Sequence, residues 1–267
     1  MRIAILGATS QLAKDLVLSS RGNHELVLYA RRPEVVSLWL SDGGLTGRYS
    51  VADFSAFKAT EHFDAIINFV GVGNPLQTMA MGASIFDVTL KYDEFALDYV
   101  RAHPDCRYIF LSSGAAYGSS FDKPVDKNTK AMIEINNLQS QDWYALAKLH
   151  AECRHRSMPH LPIVDIRVFN YFSHTQDIST GFLITDILRS IRDKTVLRAS
   201  SDYIVRDYLH PADFYQMVSV LLSAPAANTA VDCYSQAPIT KPNLLKTTKS
   251  RSSFSWSLLM PCELLSE

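Results

Sequence analysis

Two side chains four residues apart carry the clearest chemical potential: Tyr144 and Lys148, in the run Trp143-Tyr144-Ala145-Leu146-Ala147-Lys148. On a helix, positions i and i+4 share one face. An ammonium beside a phenol favours the phenolate, which lowers the tyrosine pKa toward the range of a general acid or base. Such pairs are common on helix surfaces, and what distinguishes this one is the segment before it. Residues 108–112 read as an apolar strand that runs on into Ser113-Gly114-Ala115-Ala116-Tyr117-Gly118. That strand end brings the hydroxyls of Ser112 and Ser113 to a sheet edge, where one can hydrogen-bond a substrate carbonyl or hydroxyl oxygen. A phenol, an ammonium and a serine hydroxyl together suit proton transfer at an alcohol or ketone.

The elements that must position these groups follow from apolar runs separated by helical stretches. Residues 3–6, 25–29, 65–70, 108–112 and 163–168 read as strands, and 50–52 as a further one. Helical periodicity covers 83–101 and begins again near Gln11. Strands alternating with helices predict an α/β fold with a parallel sheet covered on both faces, a Rossmann-type doubly wound sheet. After about residue 175 the character changes. A helix near 182–193 and a second segment over 203–223 predict a small substrate-binding lobe at 176–245, above the carboxyl ends of the strands. Residues 1–175 form the dinucleotide-binding part, with returns from the later segment. The stretch 246–267 has weak periodicity and predicts a loosely packed or abnormal C-terminal tail.

A cofactor site is suggested where the first strand runs into Gly7-Ala8-Thr9-Ser10-Gln11-Leu12-Ala13. A tight turn there would aim helix N-terminal N–H groups at a pyrophosphate. Of the three glycines usual at this spacing only Gly7 stands; Ser10 and Ala13 take the other places, and both are small. An ordinary strand–turn–helix remains the bland alternative. The second strand ends in Ala30-Arg31-Arg32, with no carboxylate for a ribose 2′-OH. Arginine suits a 2′-phosphate, so Arg31 and Arg32 favour NADP over NAD, unless they are merely solvated loop charges. Asp53 could accept from an adenine amino group or cap a helix. Val70, at the end of its strand, is expected to line the same cleft.

With these residues in place, the sequence resembles an extended short-chain dehydrogenase/reductase of the NAD-dependent epimerase/dehydratase family, whose members modify nucleotide-activated sugars. The matches come in family order. They are the Gly7 turn, Asp53, Ser112-Ser113 through Tyr117-Gly118, the Tyr144/Lys148 helix, Arg167-Val168-Phe169-Asn170-Tyr171-Phe172, and Arg206-Asp207-Tyr208-Leu209-His210-Pro211-Ala212-Asp213. They span about residues 1–240. The resemblance implies that Ser113 and Tyr144 are catalytic and that Lys148 lowers the Tyr144 pKa and holds the nicotinamide ribose. It implies that Asn170 lies near the substrate and that Arg206 pairs with a nucleotide diphosphate. Asp207, His210 and Asp213 are read as structural, and Tyr117 as a packing residue or one that lines the pocket. It also implies a homodimer through a contact that includes the Tyr144 helix. Sugar 4,6-dehydratases of the family carry an Asp-Glu pair after the catalytic hydroxyl. Gly114-Ala115 stand there instead, which leaves epimerisation or reduction of a keto sugar.

Composition narrows the alternatives. The 267 residues are 47% hydrophobic, enough for a sizeable core, and a net charge of −1 gives no reason to expect nucleic acid or an anionic membrane as partner. Four widely spaced cysteines without a histidine cluster predict no metal site and a reducing, cytoplasmic setting. No apolar run approaches the roughly 20 residues of a membrane helix, and the N-terminus has no signal-peptide pattern. Beside the nucleotide-sugar enzyme two readings stay open: a related oxidoreductase acting on a non-nucleotide carbonyl or alcohol, and a non-catalytic cofactor-binding sensor or degraded enzyme.

Overall fold

The computed structural model describes residues 1–20, 22–72, 75–118, 124–251 and 255–259. The chain alternates strands and helices from its start. These are β1 (Arg2–Leu6), α1 (Gln11–Ser20), β2 (Glu25–Tyr29), α2 (Pro33–Asp42), β3 (Ser50–Ala52), β4 (Ala65–Asn68), α3 (Pro75–Met81), α4 (Ser84–Ala102), β5 (Arg107–Ser113), α5 (Trp143–Arg156) and β6 (Ile163–Val168). The later part contributes α6 (Leu183–Asp193), β7 (Leu197–Ser200), β8 (Val205–Arg206), α7 (Pro211–Ser223), β9 (Thr229–Cys233), β10 (Ile239–Thr240), α8 (Lys241–Arg251) and β11 (Trp256–Leu259).

Seven strands form one parallel sheet in the order β3-β2-β1-β4-β5-β6-β9. The order reverses between β1 and β4, and in such sheets ligands bind at the carboxyl ends beside that switch point. Alternation within β1 shows how the layers are built. Ile3 and Ile5 join a core with Leu16 of α1, Val36 of α2 and Phe214 and Val218 of α7. Ala4 and Leu6 face the other way, into a core with Ala96, Leu97 and Val100 of α4 and Ala151 of α5. Burial on both faces explains why these strands are almost wholly apolar.

Three sequence boundaries move. The strand expected over 65–70 closes at Asn68, whose side-chain oxygen accepts the Val70 N–H at 2.9 Å. The segment 203–223 is helical only from Pro211. Proline fixes φ at a first helical position and holds the residue before it extended, and His210 caps the helix by accepting from Ala212 N at 3.1 Å. The tail is more structured than its periodicity suggests. α8 runs through Arg251, and β11 pairs in parallel with β7. A small core of Ile187, Leu197, Ala199 and Leu245 holds this region, with β8 and β10 paired beside it. The rest of the expected tail, 252–254 and 260–267, lies outside the described residues.

Candidate active site

The turn after β1 is built around Gly7. Its φ is +79°, and a Cβ there would stand 2.8 Å from Val70 N and 2.9 Å from the Phe69 carbonyl carbon. Only glycine fits such a left-handed, crowded position. The Gly7 and Ala8 N–H groups both donate to the Tyr29 carbonyl, at 2.9 and 3.0 Å, and Ser10 N closes the turn on Gly7 O at 2.9 Å. The other two usual glycine positions need only small side chains: Ala13 is fully buried between helix and sheet, and Ser10 is half-buried. Thr9 is exposed, and Gln11 and Leu12 open α1, whose first N–H groups lack intrahelical acceptors. Val70 lies directly against this turn. Arg31 and Arg32 emerge exposed from the adjacent end of β2 and make no ion pair among the described residues. Asp53 caps a short 3₁₀ turn, accepting from Ser55 N at 2.7 Å and Ser55 Oγ at 2.5 Å. These bonds hold its carboxyl below the usual range. The capping reading is therefore observed, on an exposed side chain just after β3.

Ser113, Tyr144 and Lys148 come together at the end of β5. Ser113 ends the strand and accepts from Ala115 N at 3.2 Å, and its side chain is near enough to Tyr144 to draw the phenol partly back down. Ser112 points inward instead and donates to Glu152 at 2.5 Å, so only one of the two hydroxyls is left beside Tyr144. Lys148 is 4% exposed and donates to the Leu111 carbonyl at 2.6 Å. Its Nζ lies 4.5 Å from the Phe110 ring centre and 5.9 Å from that of Tyr144. Burial draws the ammonium down to about 8, against the pull of Asp93, Asp165 and Glu152. Burial also raises the Tyr144 phenol, and the Ser113 side chain alone pulls it back. In this arrangement the Tyr144 phenol is raised rather than lowered, and the Lys148 ammonium is directed at a carbonyl and at ring faces. Tyr144 is accordingly a protonated phenol at neutral pH, poised to give a proton.

The two later motifs meet each other. Tyr171 and Leu209 form a parallel bridge, Leu209 N donates to Asn170 O at 3.0 Å, and Phe172 N donates to Leu209 O at 3.3 Å. Asn170 is half-buried, and Arg206 on β8 is exposed, its guanidinium bonded among the described residues to the neighbouring Val205 carbonyl at 3.1 Å. Asp207 accepts from Ser235 N at 2.7 Å and from the Ser235 hydroxyl, while Asp213 lies in the first turn of α7, as their structural reading expects. Tyr117 receives a 2.6 Å bond from Arg167 and donates to Asp232 at 3.0 Å. Phe169 fills the space beside Gly114, where a Cβ would stand 2.3 Å from its ring.

Several polar residues around the site escaped the sequence reading. Glu152 is held by Arg167 through bonds of 3.0 Å and by Ser112, and so braces the β5 end. Asn68 links Val70 to Tyr108, whose hydroxyl reaches Asp93 at 2.9 Å. Asp15 is buried on α1. An acid or amide on a face otherwise apolar was the available signal, and it does not name the partner.

The comparisons with known proteins agree with this geometry. The model of the NAD dependent epimerase/dehydratase family matches residues 3–234. No curated protein sequence gives a match. Among solved structures, UDP-N-acetylglucosamine 4-epimerase from Methanobrevibacter ruminantium M1, in complex with UDP-N-acetylmuramic acid, superposes with a TM-score of 0.79 at 14% identity, over 97% of this chain and 86% of that one. UDP-glucuronic acid 4-epimerase from Bacillus cereus, with UDP-glucuronic acid and NAD, gives 0.74 at 13% identity over the same shares. UDP-glucose 4-epimerase from Bifidobacterium longum, with NAD+ and UDP, gives 0.75 at 16%, again over 97% and 86%. At these identities the likeness is one of fold.

Proposed function

The chain belongs to the NAD dependent epimerase/dehydratase family, and from that premise we propose that it epimerises or reduces a nucleotide-activated sugar with a bound nicotinamide cofactor. The observation that carries this reading is the meeting of Ser113, Tyr144 and Lys148 at the carboxyl end of β5, beside a turn that only Gly7 can make. The residues present fit a dinucleotide. The Gly7 cradle and the start of α1 would hold the pyrophosphate, and Lys148, whose Nζ lies 3.4 Å from where a Gly71 Cβ would stand, would hold the nicotinamide ribose. Arg31 and Arg32 would take the 2′-phosphate of NADP.

When bound, the nicotinamide supplies or takes the hydride at the sugar carbon. Tyr144 gives its proton to a keto oxygen, or removes one from a hydroxyl in the reverse direction. Ser113 donates to the same oxygen and stabilises the charge that develops there. The Lys148 ammonium, buried beside the phenol, steadies the phenolate left behind. Arg206, without an ion pair among the described residues, is the cation proposed for the diphosphate, and Asn170 orients the adjoining part of the substrate. Phe169 closes the space beside Gly114, and Gly114-Ala115 follow Ser113 where the family's 4,6-dehydratases carry an Asp-Glu pair. Relatives of this fold are described with UDP-linked ligands and NAD, which supports the substrate class.

Calorimetric titration with NADPH and NADH tests the cofactor reading. NADPH should bind more tightly, and changing Arg31 and Arg32 to Ala should remove about tenfold of that preference, the worth of ~1.4 kcal/mol in a charge-assisted contact. Binding of neither cofactor would overturn the enzyme reading. Equal binding of both, unaffected by the Arg changes, would leave NAD as the cofactor.

A further inference from the structure

The buried face of α1 carries an acid. Asp15 is 2% exposed, among Ala13, Leu16 and Val17. Its carboxylate accepts from Gln11 Nε2 at 3.0 Å, from the Tyr171 hydroxyl at 2.8 Å and from the Thr175 hydroxyl at 2.5 Å. The Gln11 amide donates further to Ser173 Oγ at 3.1 Å and to the Thr175 hydroxyl. None of these donors is charged, and no cation pairs with Asp15 among the described residues. Burying a carboxylate against neutral donors costs solvation that an apolar side chain would not, so what the carboxylate joins is informative.

On one side it holds the first turn of α1, which follows directly from the Gly7 cradle. On the other it holds residues 171–175, which follow directly from Asn170. Tyr171 is bridged to Leu209, three residues beyond Arg206. One buried carboxylate therefore fastens the cofactor helix to the chain segments that carry both proposed substrate contacts. Tyr171 remains a donor across the working pH range, because burial and the Asp15 charge both push its phenol up.

We infer that Asp15, Tyr171 and Thr175 form a clasp that couples the two sites, so that filling the cofactor cradle tightens the grip on the nucleotide of the substrate. The inference rests on the cofactor and nucleotide-sugar reading above. These are positioning residues: they touch neither ligand and act through Gln11, Asn170 and Arg206. An anion at the start of α1 orders the turn that carries Gln11, and Gln11 and Asp15 then order 171–175. Such coupling is reciprocal, so a bound nucleoside diphosphate must tighten the cofactor by the same factor.

Calorimetric titration of the full chain with UDP, with and without saturating NADP+ or NAD+, reads the coupling. Wild-type protein should bind UDP about tenfold more tightly when the cofactor is present, within the usual range of allosteric coupling. Tyr171→Phe and Thr175→Val should each keep cofactor affinity within about threefold while erasing most of that enhancement. Thr175→Ser, which restores the hydroxyl, should restore it. A general loss of folding would lower both affinities together and would not be repaired so selectively. Wild-type protein that binds both ligands independently, or clasp variants that keep the full enhancement, would overturn the clasp and leave the functional reading standing. Wild-type protein that binds neither nucleotide would overturn both.

Discussion

At the scale of single residues, the site turns on one phenol. Tyr144 stays protonated because burial raises it and Ser113 only partly offsets that rise. On the proposed function its hydroxyl exchanges a proton with the sugar oxygen, so Tyr144→Phe should lower kcat by about 10²–10⁴-fold, the usual worth of a positioned acid or base. Cofactor affinity, measured by titration, should stay nearly unchanged, since Lys148 and the Gly7 turn do not depend on the hydroxyl. Turnover retained in the variant would remove Tyr144 from the chemistry. The nearness of Ser113, Tyr144 and Lys148 was legible in the sequence because its signals are local: a four-residue spacing on one helix and a hydroxyl at a strand end. The state of these groups was not legible. That Lys148 faces the Leu111 carbonyl and two ring faces depends on where β5 passes, thirty-seven positions earlier in the chain. The Asp15 clasp was hidden for the same reason, its partners lying 156 and 160 positions away.

At the scale of elements, local turn chemistry decided what could be foreseen. β1, β2 and β5 are built on continuous apolar runs, β6 on one broken by Asp165 and Arg167, and the structure places all four within a residue of where the pattern did. α8 and β11 escaped because the α8 sequence is mostly Lys, Thr, Ser and Asn around the pair Leu244-Leu245. Packing of Leu245 against Leu197 and Ala199, not periodicity, defines that helix. The turn between β1 and α1 allows the most direct test of an element's geometry. Gly7→Ala places a methyl group 2.8 Å from Val70 N in a left-handed backbone, which alone costs about 1–2 kcal/mol. The chain must shift to relieve the contact, and the shift moves the N–H groups proposed to hold the pyrophosphate. Cofactor affinity should fall more than about tenfold, ~1.4 kcal/mol, with a lower melting temperature. An alanine variant that binds cofactor as the wild type does would show that the pyrophosphate lies elsewhere. Ser10→Gly, by contrast, should leave affinity within about threefold, because Ser10 already meets the need for a small residue there.

At the scale of the whole molecule, the layers beneath the site are locked by a buried ionic core. His155 of α5 is fully buried between Asp165 of β6, at 2.6 Å, and Asp93 of α4, at 2.8 Å. Arg154 and Arg156 each bind the outer oxygen of one of these carboxylates at 2.8 Å, and Tyr108 of β5 donates to Asp93 at 2.9 Å. Burial by itself lowers the imidazole, but the hydrogen bonds and charges of Asp165 and Asp93 outweigh it and hold His155 up to about 9, from an ordinary 6.5. A raised folded-state value means stability that is fully present below about 6.5 and is lost as pH rises through about 9. Other shifted groups fall mostly outside this window. His24 is lowered and acts below 6.5, Lys148 sits at about 8, and Cys106 and Cys233 are pushed up to about 12. Between pH 6.5 and 8 the loss therefore belongs to His155, and amounts to about 2 kcal/mol for 1.5 pH units of linkage. Melting curves of the wild type should fall across that interval, whereas His155→Gln, less stable at pH 6.5, should give a flatter profile. Should the variant fold poorly, the ring resonances of His155 in the wild type provide the same answer. An imidazole that titrates near 6.5, or parallel melting profiles for the two proteins, would mean that the ring is buried neutral and that the two carboxylates are held by Arg154, Arg156 and Tyr108 alone.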